Sequence, residues 1–163
     1  MKNKPKFIKA LILIQRGILI LKISETLSNY IIELGIEGAI VKSRMKELLH
    51  RVEKEVDEVI MDYSRLGFAK SKKILSILTY DELLDIENIR QCLGLPEDTE
   101  IALPKGHRIL EKLGMSEKDM GILIKNFKNL TAILELKKED LIPFFDETKI
   151  EEILDRLNHS KED

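Results

Sequence analysis

The chain has 163 residues, of which 44% are hydrophobic, 34% are charged and 5% are aromatic. This length suits one domain or a small pair, and the apolar fraction is large enough for a folded core. The formal net charge of -2 argues against a protein that coats nucleic acid by bulk electrostatic attraction. Abundant Leu, Ile, Lys and Glu with few aromatic residues favour helices over sheets, so we predict an all-α fold.

Basic residues precede an apolar segment at the N-terminus, which is a pattern that signal peptides also show. Lys9, Arg16 and Lys22 interrupt the apolar segment, and no small-residue cleavage site follows it. We therefore predict no membrane anchor. The single cysteine, Cys92, excludes an internal disulfide and lies in an apolar run. A buried thiol and a cytoplasmic setting are expected.

Two long helices are predicted for the first part of the chain. In the first helix apolar residues recur at steps of three and four up to Gly35, a typical helix stop. They are Ile20, Ile23, Leu27, Tyr30 and Leu34. In the second helix, apolar positions from Val41 to Leu66 approach the spacing of a coiled-coil seam and stop before Gly67. We predict that the two helices pack antiparallel across the Gly35 turn and form a long arm.

The first helix carries more apolar surface than one neighbouring helix can cover. Either helices from residues 70–93 pack against it, or it mediates self-association or partner binding, because large exposed apolar patches are rare on monomers. For the second alternative, the predicted interface residues are Leu11, Ile12, Ile18 and Leu19.

Two shorter helices are predicted next, over residues 71–78 and from residue 80 to about residue 93. Thr79 and Glu82 have the spacing of a capping box at the start of the second of these helices. The acids of residues 81–87 fit a solvated helix start, and no His or Cys residues have ligand spacing, so we predict no metal and no cofactor. A polar linker follows at residues 95–100, which gives a predicted arm over residues 1–94 and a predicted head over residues 103–158.

The head opens with a predicted helix, short turn and second helix. Gly114 directly follows the last apolar position of the first helix, and Ser116 can cap the second helix by accepting from the N–H of Asp119. Such a turn can simply connect two packed helices, or it can hold one DNA phosphate at a helix N-terminus. For the second alternative, the candidate DNA-binding residues are Lys105, Arg108, Lys112, Gly114, Met115, Ser116 and Lys118.

Three ordered blocks of the sequence resemble the DNA integrity scanning diadenylate cyclases. Residues 103–110, LPKGHRIL, are similar to the Leu-Pro-Arg-Gly-Tyr-Arg-Leu-Leu segment that opens the C-terminal helix-hairpin-helix domain of that family. Residues 30–38 resemble its Tyr-Ile-Lys-Glu-Leu-Gly-X-Glu-Gly turn, and residues 80–85 and 93–96 resemble its Tyr-Asp-Leu-Leu-Asp and Leu-Gly-Tyr-Pro stretch. The resemblance runs from about residue 10 to 157. It implies the linker and the tandem helix-hairpin-helix domain of the family.

Two features of the family pattern have no counterpart in this sequence. The Asp-Gly-Ala and Arg-His-Arg motifs of the cyclase domain are missing, so no enzyme activity is expected. The family's second hairpin has a Gly-Ile-Gly turn, whereas residues 143–148 read PFFDET, a turn without glycine that should repel phosphate.

These features predict a non-catalytic module that binds DNA weakly and structure-selectively through the first hairpin, with branched DNA as a candidate partner. The alternative is an assembly or regulatory module that docks through the apolar first helix. Its partner would be another copy of the chain or a full-length diadenylate cyclase, and the head would no longer bind DNA.

Overall fold

The computed structural model describes residues 3–99 and 101–160. Ten α-helices occur in these two ranges, and no strand does, so the predicted all-α fold class is confirmed. Within the same residues, no helix combines the length and the apolarity that a membrane span requires. The chain divides into two compact units, Met1–Ala102 and Leu103–Asp163, and each is described by itself below.

The described residues of the first unit form five helices and one short 3-10 turn. The helices are α1 (Asn3–Ile31), α2 (Gly35–Tyr63), α3 (Phe68–Ile77), α4 (Tyr80–Leu84) and α5 (Ile86–Cys92). The 3-10 turn, Ile32–Leu34, joins α1 to α2, and the positive φ of Gly35 (63°) lets the chain reverse there. This arrangement gives the predicted antiparallel pair of long helices.

Helix α1 packs against α2 on one side and against α4 and α5 on another. Gln15 Nε2 donates to the carbonyl oxygen of Leu83 at 2.8 Å, and Lys22 Nζ donates to that of Leu78 at 2.8 Å. Ile14 is fully buried in the core that these helices share. The packing of α1 against helices from residues 70–93 is therefore confirmed.

Two of the predicted interface residues lie in this core. Leu11 is 3% exposed and Ile18 is 7% exposed, whereas Ile12 and Leu19 are partly exposed. A side chain that is buried within its own unit is not available to a partner. The structure therefore corrects the predicted partner surface at Leu11 and Ile18.

The apolar stripe that steps through α1 lies away from both neighbours. Ile23, Leu27 and Tyr30 are 47%, 45% and 66% exposed. The reason is that α2 approaches α1 along a different side: a Cβ atom at Gly17 would overlap Cγ2 of Val56. Periodicity identified the helix correctly, but it did not show which of its apolar sides is covered.

The segment predicted as one helix from residue 80 to 93 forms two helices. Its capping box is confirmed, since the N–H of Glu82 donates to Thr79 Oγ1 at 3.2 Å and the N–H of Thr79 donates to Glu82 Oε2 at 3.3 Å. Asp85 then ends α4 and begins α5, because its carboxylate accepts from the N–H of Glu87 at 3.0 Å. Cys92 at the end of α5 is buried, as predicted, and burial raises the pKa of its thiol.

The second unit is built from five shorter helices around one apolar core. They are α6 (His107–Lys112), α7 (Glu117–Asn126), α8 (Leu130–Leu134), α9 (Lys138–Leu141) and α10 (Glu147–His159). The buried residues of the core are Leu110, Met115, Leu123, Ile133, Leu141, Ile150, Ile153 and Leu157. Phe144 lies outside this core: it is exposed, and its ring meets that of Phe127 edge-on at 5.9 Å.

Candidate nucleic-acid interface

The α6–α7 turn has the predicted helix stop and the predicted cap. Helix α6 ends at Lys112. Gly114, two residues later, has a φ of 78°, and its N–H donates to the carbonyl oxygen of Glu111 at 2.9 Å. Helix α7 begins after Ser116, whose Oγ accepts from the N–H of Asp119 at 3.2 Å. A left-handed glycine and a serine cap, two residues apart, thus turn the chain from one helix into the next.

The amides of this turn are used differently from the prediction. The N–H of Met115 donates to the carbonyl oxygen of Leu110 at 3.2 Å, so the amides of both Gly114 and Met115 close α6. The Met115 side chain is buried in the core of the unit. These hydrogen bonds correct the predicted phosphate-binding role of those two amides. Glu117 and Lys118 are the first two residues of α7. The first N–H groups of a helix have no hydrogen-bond partner within that helix.

The predicted basic residues fall into two groups. Lys112 and Lys118 are exposed on either side of the turn, as the last residue of α6 and the second residue of α7. Lys105 and Arg108 are half-buried. Arg108 and Lys112 are four residues apart on α6, so they share a side of that helix.

Helix α10 contributes a cation to this turn that the sequence analysis did not identify. The Arg156 guanidinium donates through Nη1 to the carbonyl oxygen of Gly114, and Nη2 contacts Glu152 Oε1 at 2.9 Å. A Cβ atom at Gly114 would lie 2.9 Å from Arg156 Nη1. Arg156 lies 42 residues from Gly114 in the sequence, so no local motif could have indicated the contact.

A second residue of α10, Lys149, forms an ion pair with Asp119 in the first turn of α7. Lys149 Nζ lies 3.1 Å from Asp119 Oδ2, and Asp119 is almost fully buried. The hydrogen bond and the charge of Asp119 raise the pKa of Lys149. Glu117, in the same turn, is exposed and adds a negative charge where the helix N-terminus favours anions.

Two carboxylates at the turn before α10 interact with neighbouring groups of the head. Asp146 Oδ1 accepts from the N–H of Lys149 at 2.8 Å, and Glu147 Oε1 lies 3.1 Å from Lys138 Nζ. A capping carboxylate thus occupies the position at which a helix N-terminus would accept a phosphate. Among the residues that the structure describes, no group of His, Cys, Asp and Glu side chains has a metal-binding arrangement.

The chain is similar to a known family of bacterial proteins. The family model of the DisA bacterial checkpoint controller linker region matches residues 7–102. The DNA integrity scanning protein DisA of Carboxydothermus hydrogenoformans is 34% identical over 137 residues, which cover 78% of this chain and 39% of the relative. That of Fusobacterium nucleatum is 30% identical over 135 residues (78% and 38%), and that of Clostridium botulinum strain Alaska E43 is 31% identical over 157 residues (91% and 44%). The chain therefore spans less than half the length of these relatives.

Proposed function

The chain belongs to the family of the DisA bacterial checkpoint controller linker region, and we propose that it is a non-catalytic module that binds DNA weakly and structure-selectively. The matched family is a linker region, and the relatives that extend into the second unit are DNA integrity scanning proteins. The name of these relatives refers to DNA. For this reason we assign DNA binding and no reaction to the residues of this chain.

The observation that carries the proposal is the exposed N-terminus of α7 between two lysines. The N–H groups of Glu117 and Lys118 lie at the positive end of a ten-residue helix, which favours a phosphate oxygen. Lys112 and Lys118 flank the turn and add attraction that does not depend on base sequence. Arg156 holds the Gly114 carbonyl, which fixes the turn that leads into α7.

Several charges limit the affinity. The formal net charge of the chain is -2, Glu117 lies in the first turn of α7, and Asp146 closes the turn before α10. Only one hairpin of the head is then suited to phosphate. We expect about three or four neutralised phosphates, which corresponds to a slope of log affinity against log salt of about -3 to -4.

The proposal is tested by fluorescence anisotropy with a labelled four-way junction and a linear duplex of the same base composition. Titrations at two salt concentrations should give tighter binding to the junction and weaker binding to both DNAs at the higher salt. Absence of binding to either DNA at low salt contradicts the proposal. Equal affinity for the two DNAs contradicts its structure-selective part.

The second candidate function is assembly through α1. It is supported by the exposed apolar stripe that contains Ile23, Leu27 and Tyr30, since contiguous apolar patches on monomers often mark interaction sites. The partner would be another copy of the chain or a full-length diadenylate cyclase. This candidate places the interface on the exposed stripe rather than at the buried residues Leu11 and Ile18.

A further inference from the structure

We propose that the exposed stripe of α1 is an interface with a second copy of this chain, in which two α1 helices pack antiparallel. The interface is the outward face of α1, defined by Ile20, Ile23, Leu27 and Tyr30. This inference rests on the second candidate function, assembly through α1. It is independent of DNA binding by the head.

The outward face is left open by the packing of the first unit. Helix α2 approaches α1 at Gly17. Leu83 of α4 contacts α1 at Gln15, and Leu78, the residue after α3, contacts it at Lys22. Those contacts occupy two sides of α1. The outward face lies on the third side, with Ile20 at its edge beside Val52 and Val56 of α2. Its four side chains are each between 45% and 66% exposed. Burying the remaining apolar surface of these side chains would stabilise an interface.

The spacing of the outward face is self-complementary about Glu25. In a two-fold antiparallel pair centred there, Ile23 lies opposite Leu27 of the second copy, and Ile20 lies opposite Tyr30. These residues are two and five positions from the centre, or about 3 Å and 7.5 Å along the helix axis. Each copy then supplies the same patch to the other, as an isologous two-fold interface requires.

The charges at the two ends of the outward face select the same pairing. Arg16 of α1 lies nine residues before the centre, at about 13.5 Å along the helix axis. Glu33 lies eight residues after the centre, in the 3-10 turn that follows α1, at a similar distance of roughly 12 to 13 Å. Antiparallel packing therefore brings Arg16 of one copy level with Glu33 of the other, at both ends. Parallel packing in register would instead place Arg16 beside Arg16. Both side chains are exposed, and neither forms an ion pair with another described residue.

The first test is the self-association constant of the full chain, measured by sedimentation velocity over a concentration series. We expect a dimer, and the double change Ile23→Glu and Leu27→Glu should weaken dimerisation by about a hundredfold or more, because four charges enter an apolar interface. The matched control is Ile77→Glu with Leu84→Glu, at two residues that are at least as exposed but lie on α3 and α4. The control should dimerise like the original chain.

The second test reverses the end charges. Arg16→Glu alone and Glu33→Arg alone should each weaken dimerisation by about three- to tenfold, because each turns two attractive pairs into repulsive ones. Mixing the two variants should restore it, since every facing pair in the mixed dimer is again opposite in sign. Circular dichroism would reveal whether the Ile23→Glu, Leu27→Glu variant fails to fold. In that case the charge variants still test the interface, because Arg16 and Glu33 are exposed and their substitution does not disturb the core.

Three results would overturn the inference. They are a monomer throughout the concentration series, a dimer that survives Ile23→Glu with Leu27→Glu, and a mixture of the charge variants that is no stronger than either alone. The DNA titration is repeated on the glutamate double variant: if it binds DNA like the original chain, failure of dimerisation and failure of DNA binding are separate results.

Discussion

The guanidinium of Arg156, near the end of the last helix, donates a hydrogen bond to the backbone carbonyl of Gly114 at the first hairpin turn. That carbonyl lies just past the C-terminus of α6, where backbone oxygens lack intrahelical partners and a positive charge is favourable. Arg156 therefore links the last helix of the head to the turn that we propose as the DNA contact. The integrity of the turn then depends on a residue far from it in the sequence.

Arg156→Ala should destabilise the head by about 1 to 2 kcal/mol, because a charge-assisted hydrogen bond is lost and a helix-end carbonyl is left without its donor. This loss is at the low end for a charge-assisted hydrogen bond because the Arg156 side chain is 35% exposed. Urea unfolding followed by circular dichroism measures the change. Arg51→Ala is the matched control: it removes an exposed pair with Glu47 and should cost less than about 0.5 kcal/mol. Equal losses in both variants would contradict the proposed role of Arg156.

Two glycine substitutions in the head should have opposite signs. Gly114→Ala forces an L side chain into a φ of 78° and places its Cβ 2.9 Å from Arg156 Nη1, so it should destabilise by about 1 to 2 kcal/mol. Gly121→Ala lies on the exposed side of α7, where an added Cβ meets nothing within 4 Å. It should stabilise by about 0.5 to 1 kcal/mol, because alanine is the better helix former. Thermal unfolding of the two variants checks the signs, and a shared sign would contradict the geometry of the turn.

Gly17→Ala should loosen the contact between α1 and α2. The new Cβ would overlap Cγ2 of Val56, which is buried, and overpacking of this kind costs about 1 to 3 kcal/mol. Asn29→Ala, at an exposed position of the same helix, should change the stability by less than about 0.5 kcal/mol. Urea titrations that rank Asn29→Ala as the more damaging change would rule out close packing at Gly17.

Alkaline pH should weaken the Lys149–Asp119 pair only at a pH above that at which an ordinary lysine loses its charge. The carboxylate of Asp119 raises the pKa of Lys149, so the pair stabilises the folded head at pH values below the ordinary lysine pKa. This contribution is lost as the pH rises through the raised pKa of Lys149. Thermal unfolding of the original chain should therefore show a decline at strongly alkaline pH that is smaller in Lys149→Gln. Identical pH profiles would contradict the contribution of the pair.

The elements of this fold could be predicted from local patterns, whereas the contacts between them could not. The Thr79 and Ser116 caps and the Gly114 stop depend on residues a few positions apart, and these features are confirmed at atomic distances. The covered sides of α1 depend on Gly17 and on where α4 and α5 lie, so Leu11 and Ile18 were assigned to the wrong surface. Arg156 could not be linked to Gly114 because only the packing of α10 brings them together.

The sequence also explains why the second turn of the head differs from the first. Its acids predicted repulsion of phosphate, and the structure adds that Asp146 caps α10 while Phe145 packs against the core of the unit. Replacing Phe145, Asp146 and Glu147 with Gly-Ile-Gly would remove a cap and a core contact at the same time. The stability of the head and the chemistry of this turn are therefore coupled.

The most direct test of the proposed function is the salt dependence of DNA binding in two variants of equal net charge. Lys112→Glu with Lys118→Glu reverses the lysines that flank the first hairpin turn. Lys70→Glu with Lys73→Glu makes the same charge change at exposed residues of α3. Anisotropy titrations of the four-way junction should give a slope of about -3 to -4 for the original chain, a slope smaller in magnitude by about 2 for the hairpin variant, and an unchanged slope for the α3 variant. Equal weakening by both variants, or an unchanged slope in the hairpin variant, would contradict DNA binding at this turn.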